Sequence, residues 1–217
     1  MREALRYAPD MKRLSIRLIT LGPACLMLSA CDNLLENIRD FTSTSIMYAP
    51  GSSMEPSIPT GSRFTVVRAK QEEFERGAVY IVQPAANDAR VLRLIGLPGD
   101  TVAVKNGIVV LNGKRASATP QGDYTFDTED GLTQTGKRIF EVLSGTDIAY
   151  EILDLGPTPL DNFGPIILPE GKYFLLGDNR DNAADSRVNV ETLGVKGLGL
   201  VEADAITHRV DMKSVAG

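Results

Sequence analysis

The sequence predicts a mainly β protein, and three observations carry that reading. Its 20 glycines and 12 prolines fall largely between short runs rich in Val, Ile, Leu and Thr, the punctuation of strands and turns. No segment repeats apolar residues at helical spacing for long enough to make an amphipathic helix. Asn106-Gly107 stands between two apolar runs, the strongest short-range hairpin signal. The 217 residues suffice for about one domain or one and a half. A net charge of −5 argues against a nucleic-acid partner, because a phosphate backbone needs a basic face.

Taken in order, the N-terminal residues are expected to be a targeting segment. Met11-Lys12-Arg13 opens a basic stretch that runs to Arg17, and Leu18 to Leu28 is apolar. That run is too short to span a bilayer, which takes about 20 residues, and it fits a secretory signal. The alternative is a buried N-terminal helix. Leu28-Ser29-Ala30-Cys31 resembles the bacterial lipobox, which implies that residues 1–30 are removed and that Cys31 carries a lipid. Asp32 after it is similar to an inner-membrane retention signal. The expected location is therefore the periplasmic face of the bacterial inner membrane. Cys25, the other cysteine, would leave with the signal, so the core must hold without a disulfide. Residues 31–45 are polar and read as a tether.

Strands are expected at Arg63 to Lys70, Ala78 to Gln83 and Arg90 to Ile95, from their β-branched and apolar content. Leu97-Pro98-Gly99-Asp100 is turn chemistry, since Pro presets φ and Gly is permissive. Thr101 to Lys105 and Ile108 to Leu111 flank the Asn106-Gly107 hairpin, and Asn112-Gly113 makes another turn. Residues 116–166 change character. The stretch SATPQGDYTFDTEDGLTQTGKR is polar and turn-rich, IFEVLSGTDIAYEIL holds two strand-like pieces, and PTPLDNFGP is a loop. This segment reads as an inserted β-rich subdomain between core segments 46–115 and 167–207. Gly171 to Leu176 returns to strand character and runs into GDNRDNAADSR.

Ser53, in GSSMEPSIP, is the candidate nucleophile. A nucleophilic hydroxyl must be exposed on a tight turn with backbone N–H groups close by, and Gly51 and Pro56 suit such a turn. On its own a serine between Gly and Pro is usually a turn residue. The order of motifs says more: GSSMEPSIPTGSRF, RGAVY at Arg76 to Tyr80, RLIGLPGDTV at Arg93 to Val102, and LLGDNRDNAADSR at Leu175 to Arg187. Together they resemble bacterial signal peptidase I, a serine endopeptidase that removes signal peptides from exported proteins. The likeness runs from about Ile46 to about Ala205.

The resemblance implies a catalytic β core with an inserted β-rich subdomain, no cofactor and no metal. It implies a Ser–Lys dyad, in which a desolvated neutral lysine takes the serine proton. It implies substrates that bind as extended strands, namely signal peptides of exported proteins. By position, Ser53 matches the nucleophile, and Gly51 matches a residue that helps form the oxyanion hole. Ser52 and Met54 flank the groove. Arg93, Asp178, Arg180, Asp181, Asp185, Ser186 and Arg187 match framework positions expected to pair and support the site.

Two positions depart from the pattern. The general-base lysine is expected just before Arg93, where this chain has Leu92. A serine that bonds that lysine is expected at Ala183. Loss of both is what abandonment of the base would produce, since a buried serine without its partner would be unsatisfied. Other residues offer no clear replacement. Arg90 lies on the same strand face as Leu92 but stays protonated. Lys70, Lys105 and Lys114 match no catalytic position, Glu55 follows the nucleophile loop, and His208 reads as a lone surface histidine. Three expectations stand: a divergent signal-peptidase-type endopeptidase whose activity is limited by the missing base, a non-catalytic protein that docks extended segments, or a specialised maturation peptidase.

Overall fold

The computed structural model describes residues 44–188 and 197–216. The expected signal segment, the lipobox with Cys31 and nearly all of the tether lie outside the described residues. The protein is mainly β. In chain order the strands are β1 (Ser45–Tyr48), β2 (Arg63–Arg68), β3 (Val79–Ala85), β4 (Asp88–Gly96), β5 (Thr101–Lys105), β6 (Ile108–Leu111) and β7 (Lys114–Arg115). They continue with β8 (Ser117–Asp127), β9 (Thr133–Val142), β10 (Ala149–Asp154), β11 (Phe163–Ile167), β12 (Lys172–Leu176), β13 (Val201–Glu202) and β14 (Ile206–Ala216). The only helical pieces among the described residues are short 3₁₀ turns, and none is long and apolar enough to cross a membrane.

A seven-stranded sheet in the order β1-β2-β14-β3-β4-β12-β13 forms the core. Side chains alternate across a strand, and here both faces are covered. Val79 and Ile81 of β3 pack with Met54, Ile58, Phe64, Val66 and Val210 on one face. Tyr80 and Val82 pack with Leu92, Leu94, Leu175 and Ile206 on the other. That is why AVYIVQ reads as a continuous apolar run and not as an alternation.

Two smaller sheets, β11-β5-β6-β7 and β10-β9-β8, complete the fold. The β5–β6 turn holds Asn106 at φ 48° and Gly107 at φ 73°, the two left-handed residues of the hairpin that the sequence predicts. Val102, Val104, Ile108 and Leu111 from one small sheet share a core with Tyr150 and Ile152 from the other, with Leu143 just past the end of β9, and with Ile95, Phe174 and Leu176 of the large sheet. The excursion therefore packs into a common core. Its last strand, β11, pairs with β5 and crosses the expected boundary at 166.

Two strands differ from expectation. β8 occupies the run read as polar and turn-rich. Only Phe126 is buried along it, so no apolar alternation marks it; backbone pairing with β9 holds it from Ser117↔Val142 to Asp127↔Thr133. β14 extends to Ala216, past the expected core limit at 207, and sits between β2 and β3.

Candidate functional site

The loop between β1 and β2 carries Ser53. Met54 and Ile58 anchor it, both buried in the core on that face of the large sheet. Glu55 closes it: its buried carboxylate accepts from the Thr60 N–H at 2.8 Å and from the Tyr124 hydroxyl at 2.8 Å. Burial, and then the neighbouring Glu55 carboxylate, push Tyr124 up to about 12. The Asn179 N–H donates to the Ser53 carbonyl at 3.1 Å, and Asn179 Nδ2 donates to the Ser52 carbonyl at 3.1 Å. These bonds use the loop's carbonyls. Among the described residues, neither the Ser53 hydroxyl nor its N–H has a hydrogen-bond partner.

Half-buried Ser53 opens onto a cavity of about 800 Å³, lined by Ala49, Gly51, Met54 and Ile58 from its own loop and by residues 85–92 of the β3–β4 hairpin, with Ala184 beside them. Leu92 is part of this lining and is 1 % exposed. It stands opposite Tyr80 in the β3–β4 register and packs with Tyr80, Val82 and Leu94. The charged residues of the wall are Asp88 and Arg90, which pair with each other at 2.8 Å. Arg90 Nη1 also donates to the Ala184 carbonyl. No lysine or histidine is among the lining residues described.

Gly51 and Met54, expected beside the groove, line this cavity. Ser52, also expected there, does not line the cavity. It is buried, its hydroxyl accepting from Asn182 Nδ2 at 2.7 Å and donating to Glu129 Oε2 at 3.3 Å. Ala183 is buried against Gly177. A Cβ on Gly177 would meet Ala183 and lie 2.7 Å from the Ser53 carbonyl oxygen, so the close approach of the two loops requires glycine there.

The charged residues after β12 form a buried scaffold beneath the loop. Arg93 grips Asp178 through Nε at 2.8 Å and Nη2 at 2.5 Å, donates to the Gly77 carbonyl at 2.7 Å, and lies over the Tyr150 ring. Burial opposes its charge, and the Asp178 carboxylate outweighs that, holding the guanidinium above its ordinary value. Arg180 pairs with Glu141 at 2.6 Å and donates to the Gly107 carbonyl at 2.8 Å. Arg187 takes Asp185 at 3.0 and 2.7 Å and the Arg180 carbonyl at 2.6 Å. Asp185 accepts from the Gly177 N–H at 3.1 Å and Ser186 Oγ from the Leu175 N–H at 3.0 Å. Asp181 accepts from the Leu155 N–H at 2.7 Å and the Thr158 hydroxyl at 2.8 Å, while burial raises its carboxyl. The excursion also holds this run by backbone, for Leu153 N–H donates to the Asp178 carbonyl and Arg180 N–H to the Leu153 carbonyl, each at 2.9 Å.

His208 lies on β14 in a different depression with Arg68 and Gln71; burial and then Arg68 lower its ring below the usual histidine value. Glu141, Tyr150, Tyr124, Asn182 and Glu129 escaped the sequence reading. Only Glu141 left a trace, a carboxylate at an inward position between Ile139 and Leu143, where a charge requires a partner.

Residues 26–215 match a family model described as signal peptidase, peptidase S26. The chain is 34 % identical over 170 residues to signal peptidase I of Bacillus licheniformis, spanning 77 % of this chain and 69 % of the relative. It is 32 % identical over 165 residues to signal peptidase IB of Staphylococcus aureus strain COL, spanning 75 % of this chain and 73 % of that one. A crystal structure of a signal peptidase I from Enterococcus faecalis V583 aligns at 21 % identity with a TM-score of 0.34, covering 67 % of this chain and 97 % of that one.

Proposed function

The chain belongs to the signal peptidase family, peptidase S26, and from that premise we propose that it is a signal peptidase I-type serine endopeptidase acting on signal peptides of exported proteins at a membrane surface. Ser53 is the nucleophile and the cavity beside it is the substrate groove. The carrying observation is that, among the described residues, the Ser53 hydroxyl and N–H have no hydrogen-bond partner, while the Ser52 and Ser53 carbonyls and the Glu55 carboxylate of the same loop are tied. Apolar walls of Ala49, Ile58, Ala85 and Ala184 suit an extended apolar segment.

In this reading the Ser53 oxygen bonds the scissile carbonyl carbon, and the Ser53 N–H donates to the oxyanion that develops. The C–N bond then breaks, the amine leaves with a proton, and water hydrolyses the ester. Leu92 fills the place where the family resemblance implies the lysine base, and no lysine or histidine lines the described cavity. The serine proton passes to solvent, and the rate falls roughly 10²–10⁴-fold below that of an enzyme with a positioned base. Lipidation at Cys31 is the proposed tether, with the domain on the periplasmic side of the inner membrane.

One observation favours a second reading. Leu92 and Ala183 are both buried and apolar, so neither of the two positions expected to carry the base and its serine partner is polar. A binding protein that docks extended segments and does not cut them would keep this groove. The two readings separate in a cleavage assay on a preprotein with an Ala-x-Ala site, using the full chain in detergent. The peptidase reading expects slow cleavage, lost in Ser53→Ala and raised roughly 10²–10⁴-fold in a Leu92→Lys/Ala183→Ser double variant. Binding of the preprotein without cleavage by the wild type establishes the second.

A further inference from the structure

The tip of the β8–β9 hairpin reaches the nucleophile loop. Residues 128–132 close on themselves, the Thr128 N–H donating to the Leu132 carbonyl and the Gly131 N–H to the Thr128 carbonyl, both at 2.9 Å. This turn delivers Glu129. Its Oε2 accepts from the Ser52 hydroxyl at 3.3 Å. A Cβ on Gly51 would stand 3.6 Å from Oε1 and 3.8 Å from Oε2, so the carboxylate occupies the space beside Gly51 that a larger residue would fill. Asn182 Nδ2 donates to the same Ser52 oxygen at 2.7 Å, which leaves the Ser52 proton for Glu129. Farther down the hairpin, the Tyr124 hydroxyl holds Glu55 at 2.8 Å. Among the described residues no cation pairs with Glu129.

A carboxylate thus stands beside the residue before Ser53 and against Gly51, a wall of the cavity. We propose that Glu129 sets the charge of the Ser53 site and acts as an electrostatic brake on the formation of an oxyanion there. The inference rests on the Ser53 reading and adds a residue to it. Charge that develops on the group attacked by Ser53 meets the negative charge held beside Gly51 and Ser52, and a site that must stabilise an oxyanion is penalised by it. Glu129 is exposed, so water screens the effect; about 3–10-fold in rate is the scale of such an interaction. Salt weakens it further.

The test is the rate at which Ser53 is labelled by a neutral alkyl fluorophosphonate. In this reaction a Ser53 O–P bond forms, the P–F bond breaks, fluoride leaves, and the serine proton goes to solvent. Wild type, Glu129→Gln, Glu129→Ala and Ser53→Ala are compared at low and high salt. The brake predicts that Gln and Ala both label about 3–10-fold faster than wild type at low salt, and that the gain shrinks at 0.5 M salt, to about a 4 Å screening length. Labelling at Ser53 that is equal in wild type and Glu129→Gln overturns the brake alone. So does a slower Glu129→Ala, which would make the tip a mechanical tie. Labelling that persists in Ser53→Ala, or no labelling of any protein, overturns the Ser53 reading and the brake with it.

Discussion

Arg180 and Glu141 show what single side chains contribute beneath the site. Both are buried, paired at 2.6 Å, and drawn from segments 39 residues apart. Truncating one partner strands the other's charge in the interior, which costs about 3–5 kcal/mol. Glu141→Ala is expected to lose about that much stability in urea unfolding, while Lys137→Ala, removing an exposed pair with Asp123, changes it by less than about 1 kcal/mol. Gly177→Ala is a second residue-scale test: its Cβ meets Ala183 and the Ser53 carbonyl. The variant is expected to displace Ser53, seen as shifted amide resonances for residues 52–54. Ser53, Arg93, Asp178 and Arg187 were legible because their motifs are contiguous. Glu129, 77 residues from the Ser52 it touches, was not, because nothing local distinguishes an acidic residue in a turn from a solvated one.

Among the elements, the β8–β9 hairpin has the largest consequence for the site, yet β8 was invisible in the sequence. A ribbon wet on both faces has no apolar period to read; its order comes from backbone pairing with β9. The opposite held for β5 and β6, whose ends and Asn-Gly turn followed from the sequence because backbone chirality at that turn admits few residues. The hairpin's grip on the nucleophile loop through Tyr124 and Glu55 has a pH signature. Tyr124 is raised in the folded protein from 10 to about 12, so the folded state favours the neutral phenol. Its contribution is complete below pH 10 and is lost as pH rises toward about 12. Wild type is expected to lose more stability than Tyr124→Phe across that interval, measured by urea unfolding at stepped pH. Equal losses would remove the phenol–carboxylate bond as the link between hairpin and loop.

At the scale of the whole molecule, the three sheets meet in one hydrophobic cluster, where the sequence suggested a core with an inserted subdomain. The excursion's Leu143, Tyr150 and Ile152 lie in the same cluster as Phe174 and Leu176. The sequence could not announce this, because burial shared between distant segments leaves only ordinary apolar residues in each. A chain ended after residue 205, near the limit of the recognised motifs, would lose β14 from between β2 and β3. Such a chain is expected to show no cooperative unfolding transition; retention of one would mean that β2 and β3 can close without it.

The position of β14 also dictates an order of events in the life of the chain. β1 and β2 hold Ser53 between them, while β3, β4 and β12 hold Leu92, Arg93 and the run that follows. Among the described residues, these halves of the sheet pair strand to strand only through residues 206–216. The sheet that carries Ser53 and Leu92 is therefore expected to close only after that segment has been made, although Met54 and Ile58 also pack on Val79 and Ile81. A nascent chain halted before it is expected to present two loose half-sheets, both open to protease, and no assembled groove.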